Sequence, residues 1–304
     1  MRISAHFTVV ALSGACLALG GCIDIFARHS TSFSSAASEP EEETDAGSRS
    51  ADERPGFAHS GRRVFPQQGW WCHDYAEWLS PERVEHGYTI VLPGVEGTSC
   101  HNIAIARGLV DGGHESAIEL RDWTTGYSPL FAYHLMALNR NRKQAQEIAD
   151  QIVAYQDAFP DRPVRLVGHS GGAAMAVFVL EALPEDRKVT QVVLLAAALS
   201  REYDLSKALA RCERGIVNFY SWGDVPHLVV GTAALGTIDR KHTISAGAGG
   251  FRVPKQVGEA GRELYAERLQ QIPYRPAMLK SRNAGGHIGP TTRKFVSEWV
   301  APLF

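Results

Sequence analysis

The sequence predicts an α/β fold built on a mostly parallel sheet with helices on both faces. Three observations carry this. Five or six short apolar, β-branched runs recur along the chain. Segments with helical periodicity lie between several of them. The runs are apolar almost throughout instead of alternating, as strands buried on both faces are.

In chain order the expected strands are 88–92 (YTIVL), 117–123 (AIELRDW), 164–167 (VRLV), 189–195 (VTQVVLL), 216–220 (IVNFY) and, as a sixth, 277–281 (AMLKS). The expected helices are 102–110, 142–159, 171–183 and one around 256–269, and a helical pattern in TTRKFVSEWVAPLF closes the chain. In the second of these Ile148, Ile152, Val153 and Phe159 share one side with charges opposite. The Gly-rich stretch 225–275 is long for a connection, and such insertions usually serve function.

The 304 residues are 44% hydrophobic and 21% charged, enough for one sizeable domain, placed at 61–304. The formal net charge of -2 supplies no basic field, which argues against a nucleic-acid partner. The N-terminus reads as a secretory signal over 1–21: Arg2, then an apolar stretch too short for a stable span. It ends LALGGC, which resembles a bacterial lipobox with Cys22 as the lipidated residue. By that family's sorting rules Ile23, not an aspartate, points to the outer membrane of a cell that has one. Residues 22–60 are mostly Ser, Ala, Glu, Asp, Thr and Pro, the composition of a disordered tether. About 35 such residues reach roughly 30–35 Å, enough to hold a domain off a membrane. Cys72, Cys100 and Cys212 remain for the exported domain, either as one disulfide plus a thiol or as three buried thiols.

The chemistry centres on Gly168-His169-Ser170-Gly171-Gly172, a G-x-S-x-G between a strand and a helix. A sharp turn there exposes the serine hydroxyl beside a helix N-terminus, and the flanking segments come so close that only glycine fits at 168 and 172. A serine hydroxyl needs a base, and the base an orienting acid, in the chain order Ser, Asp, His. Asp224, just past the 216–220 strand, is the preferred acid over Asp204, a helix N-cap by pattern, and Asp239. His287, on the Gly-rich loop SRNAGGHIGP, is preferred as base over His242 and His227. The earlier histidines 101, 114, 134 and 169 read as polar or packing residues. Donors for an oxyanion are expected from the backbone N–H of Gly171 and of Val95, with Glu96 the second choice, in the loop PGVEGTSC.

The segments LPGVEG (92–97), VGHSGGAA (167–174), YSWGD (220–224) and GGH (285–287), in that order, resemble the α/β-hydrolase superfamily over about residues 85–304. The resemblance implies a serine hydrolase with Ser170, Asp224 and His287 as its triad and no metal or cofactor; GHSGG is similar to the elbow of lipases and esterases. The implied partner is a small-molecule or lipid acyl substrate, and peptidase, thioesterase or acyltransferase chemistry fits the same residues. A non-catalytic surface lipoprotein is the reading that departs furthest. Two features depart from the family. Few residues precede Tyr88, so the sheet is expected to be reduced at its N-terminal edge. Only about 20 residues separate the fourth and fifth strands, so no large cap is expected there.

Overall fold

The computed structural model describes residues 77–224 and 236–304. The expected signal segment, Cys22, the tether, Cys72 and His227 lie outside the described residues. The elements begin with α1 (Pro81–His86), β1 (Tyr88–Leu92), α2 (Cys100–Asp111) and β2 (Ala117–Leu120). A short 3-10 turn (Ser128–Leu130), α3 (Phe131–Met136) and the long α4 (Leu138–Ala158) follow. Then come β3 (Val164–His169), α5 (Gly171–Ala182), β4 (Gln191–Leu195), α6 (Ser206–Ala210) and β5 (Ile216–Tyr220). The chain ends with α7 (Ala246–Gly249), α8 (Glu259–Arg268), β6 (Leu269–Pro273) and a helical segment over 293–303.

The six strands form one fully parallel sheet in the order β2-β1-β3-β4-β5-β6. Period-2 alternation divides their side chains between two buried layers. Ile90, Leu92, Leu166, Val192 and Leu194 pack with Ile148, Ile152 and Phe178 of α4 and α5. Val91, Val167, Val193 and Leu195 pack on the other face with Ile105, Leu109, Phe295 and Val296. Because both faces are covered, the central strands are mostly apolar, with Thr89, Arg165, His169, Gln191 and Asn218 the polar exceptions, which is why they stand out in the sequence. Glu119 on β2 is buried, but its carboxyl accepts hydrogen bonds from Tyr88 and Gln151.

The helical segments fall close to expectation. In α4 Ala145, Ile148, Ala149 and Ile152 make the buried stripe, and Tyr155 donates to the Val84 carbonyl. In α5 every residue from Gly171 to Leu180 is buried, as befits a helix apolar on all sides.

The sixth strand is a correction. Residues 276–281 form a 3-10 helix (Pro276–Ser281), and the edge strand is β6, at the end of the expected 256–269 helix and beyond it. Pro276 sits at the start of that 3-10 helix, where a missing N–H costs nothing. β6 (LQQIP) is a half-exposed edge and needs no continuous apolar run, so its pattern is faint. Gln271 on β6 exchanges hydrogen bonds with both backbone groups of Phe251 (2.6 and 3.0 Å).

A parallel sheet puts every strand's C-terminus on one edge. Leu92 stands beside Gly168, His169 beside Leu195, and Leu195 beside Phe219. From β1 the chain moves outward to β2 and then returns to the other side for β3. The edge between β1 and β3 is therefore the switch point, where α/β sheets open a crevice. The connection between β4 and β5 holds only the short α6.

Candidate active site

Ser170 follows β3 at that edge with φ 54 and ψ -117, a conformation side chains rarely adopt. Its N–H donates to the Leu195 carbonyl (2.9 Å), and its own carbonyl accepts from Ala198 (3.1 Å), so neighbouring β4 holds the strained turn. The glycines act as space. A Cβ on Gly168 would lie 2.6 Å from the Cα of Ala173, and one on Gly172 would run directly into the carbonyl oxygens of Leu92 and Pro93. Gly171 is equally confined: its Cβ would meet Val95 Cγ1 at 2.8 Å, Trp123 Cζ2 at 3.1 Å and Ile238 Cδ1 at 3.2 Å. Three apolar side chains thus crowd the residue after the serine.

The three side chains expected to act together do meet. His287 Nε2 lies 3.0 Å from Ser170 Oγ, and His287 Nδ1 lies 2.9 and 3.1 Å from the two carboxylate oxygens of Asp224. Asp224 is 1% exposed and sits on a 3-10 turn (Trp222–Asp224) after β5. Its loop and the His287 loop touch: a Cβ on Gly223 would lie 2.6 Å from the Gly285 carbonyl oxygen, and Gly285 has φ 81. The rivals are occupied elsewhere. Asp204 accepts from the N–H of Ser206 (2.9 Å), and Asp239 accepts from Ser200 and Thr237. His242 is exposed.

Two histidines read as packing residues touch the site. His169 Nε2 donates to the His287 carbonyl (3.1 Å), and the rings lie 4.9 Å apart. Burial first, and then the nearby His287, pushes His169 well below the ordinary histidine range. His134 Nδ1 lies 2.8 Å from the Val95 carbonyl oxygen. No periodicity marks either contact, since both bridge segments far apart in the chain. Glu96 folds back over Gly94. Burial pushes its carboxyl up, with His287 and Ser99 pulling the other way.

Cys212 is a buried thiol donating to the Gly215 carbonyl (3.0 Å), and burial pushes it up to about 12. Among the described residues no group of three or more His, Cys, Asp or Glu could hold a metal, and no helix is long and apolar enough to cross a membrane.

No protein-family model and no curated protein matches the sequence. Among solved structures the chain is similar to a dienelactone hydrolase-like promiscuous phosphotriesterase from metagenomic libraries (16% identity, 62% of this chain and 70% of that one, TM-score 0.38). It is also similar to a poly(3-hydroxybutyrate) depolymerase from Bordetella parapertussis (17%, 74% and 79%, TM-score 0.41). A third is Est1E from Butyrivibrio proteoclasticus (14%, 73% and 88%, TM-score 0.38). The parallel strand order and the elbow after β3, both features of this chain itself, make its fold that of an α/β-hydrolase.

Proposed function

We propose that this protein is a serine hydrolase that cleaves carboxylic (acyl) esters through an acyl-enzyme. The observation that carries the reading is the continuous row Ser170 Oγ, His287 Nε2, His287 Nδ1, Asp224. His287 takes the hydroxyl proton as Ser170 attacks the acyl carbonyl, then returns it to the departing alcohol. Water, activated by the same imidazole, releases the acid. Asp224 keeps the proton on Nδ1 and steadies the imidazolium that forms. The negative oxygen of the tetrahedral intermediate is held by the N–H groups of Gly171, at the start of α5, and of Val95.

An apolar substrate is supported by the surroundings. Val95, Trp123 and Ile238 pack apolar side chains against Gly171. Tyr127, Leu130, Phe131, Tyr133 and Met136 leave large apolar side chains exposed on the adjoining 127–136 segment. The lipobox-like LALGGC supports attachment of the protein to a membrane through Cys22. The test is a Ser170→Ala variant assayed on short-chain p-nitrophenyl esters, with fluorophosphonate labelling of the folded wild type. Undiminished turnover in the variant would sink the assignment.

A further inference from the structure

We infer that His134 is a positioning residue for the oxyanion loop: a neutral imidazole whose Nδ1–H grips the Val95 carbonyl and so fixes the Val95–Glu96 peptide, the one that directly follows the proposed Val95 N–H donor. The inference rests on the proposed roles of Ser170 and Val95.

The ring's protonation follows from its partners. The backbone N–H of Thr125 can only donate, and it lies 3.1 Å from His134 Nε2, with the Thr125 hydroxyl, able to donate as well, 2.9 Å from the same nitrogen. Nε2 must therefore present its lone pair. The Val95 carbonyl can only accept, and it lies 2.8 Å from Nδ1, which must carry the hydrogen. The two requirements agree on one neutral tautomer. The ring is fully buried, flanked by Trp123 and Tyr133, and the carbonyl of the same residue accepts from buried Asn141 (2.7 Å).

The loop it grips is held carbonyl by carbonyl. Trp123 Nε1–H donates to Pro93 O (2.7 Å) and Gly97 N–H to Gly94 O (3.1 Å). His134 holds Val95 O, and Ser128 Oγ–H donates to Glu96 O (2.7 Å). Three of these four donors come from the single stretch 123–134. A carbonyl tied in place cannot swing its peptide: the Gly94 carbonyl shares its peptide with the Val95 N–H, the Val95 carbonyl held by His134 fixes the next peptide, and Val95 is thus clamped on both sides with its side chain against Gly171. An oxyanion donor works because it is aimed before charge develops, and misplacement by an ångström is worth about 10²-fold in rate.

Two substitutions separate this role from packing. In His134→Asn the amide nitrogen reaches the Nδ1 position and still donates to Val95. In His134→Gln it reaches the Nε2 position and cannot. The expected result is a kcat on p-nitrophenyl acetate lowered roughly 10–100-fold in H134Q, with KM within about 3-fold, and most of the rate restored in H134N. H134Q should also lose about as much affinity for a boronic acid transition-state analogue. Equal rates in the two variants, whether both normal or both impaired, overturn the inference. Imidazole ¹⁵N shifts of the wild-type protein give a test that needs no variant to fold: His134 should carry its proton on Nδ1, and an Nε2–H tautomer overturns it. If Ser170→Ala instead retains hydrolysis, the catalytic reading has failed and not the positioning role alone.

Discussion

His169, the residue immediately before the serine, donates from Nε2 to the backbone carbonyl of His287, 118 positions away, at 3.1 Å. The bond ties the loop carrying the proposed base to the strand carrying the proposed nucleophile. His169→Phe keeps a ring in the buried slot and removes the donor. One such hydrogen bond is worth about 1 kcal/mol, so kcat/KM should fall roughly 5–10-fold with the fold retained. Wild-type kinetics in this variant would show that His287 is held by other contacts.

Asp224→Asn leaves the shape of the site intact but favours the wrong imidazole tautomer. In serine hydrolases this costs about 10⁴-fold in kcat. Steady-state assays on an activated ester would register it, and a loss smaller than about tenfold would mean that Asp224 does not orient His287.

Gly172→Ala should be among the most damaging single-atom changes. The added carbon meets the backbone carbonyls of Leu92 and Pro93, which cannot rotate away as a side chain would. Overpacking of this kind costs about 1–3 kcal/mol or more. A urea midpoint equal to that of the wild type would contradict the close approach of α5 to β1.

Stability should fall in acid through His114. Burial first, then Arg165 and Arg83, lowers it from 6.5 to about 3, while Thr89 Oγ1 lies 2.7 Å from its Nε2. As pH drops below 6.5 the unfolded chain gains this proton before the folded protein does. The neutral ring's contribution is complete above that pH and is lost progressively toward about 3. The slope for one proton is about 1.4 kcal/mol per pH unit. His169, also lowered, adds in the same sense. Denaturant unfolding at several pH values should show a shallower dependence in His114→Gln, and an unchanged slope would remove His114 from the account.

The exposed apolar residues of 127–136 bear on substrate choice. Phe131→Ser and Tyr133→Ser should raise KM for long-chain esters several-fold more than for acetate, about 1–2 kcal/mol of lost apolar contact. Equal effects on both substrates would mean that this surface does not contact the acyl chain.

The sequence alone determined the central strands and the elbow. β1 and β5 match their runs residue for residue, because strands buried on both faces are apolar at most positions, with Thr89 and Asn218 the exceptions. Ser170 and Asp224 stand just past β3 and β5, as their place after apolar runs predicts, whereas His287 lies beyond a 3-10 helix (Pro276–Ser281) where the sequence suggests a strand. The edge strand β6 was not, since half-exposed positions tolerate Gln270 and Gln271. Nor were the roles of His134 and His169. Each depends on which carbonyl lies within hydrogen-bond reach of a ring nitrogen, and that proximity arises only when the 123–134 connection and the His287 loop fold back over the sheet edge. Composition and spacing encode which residues are buried. The partner that a buried histidine meets there is set by the path of loops far away in the chain.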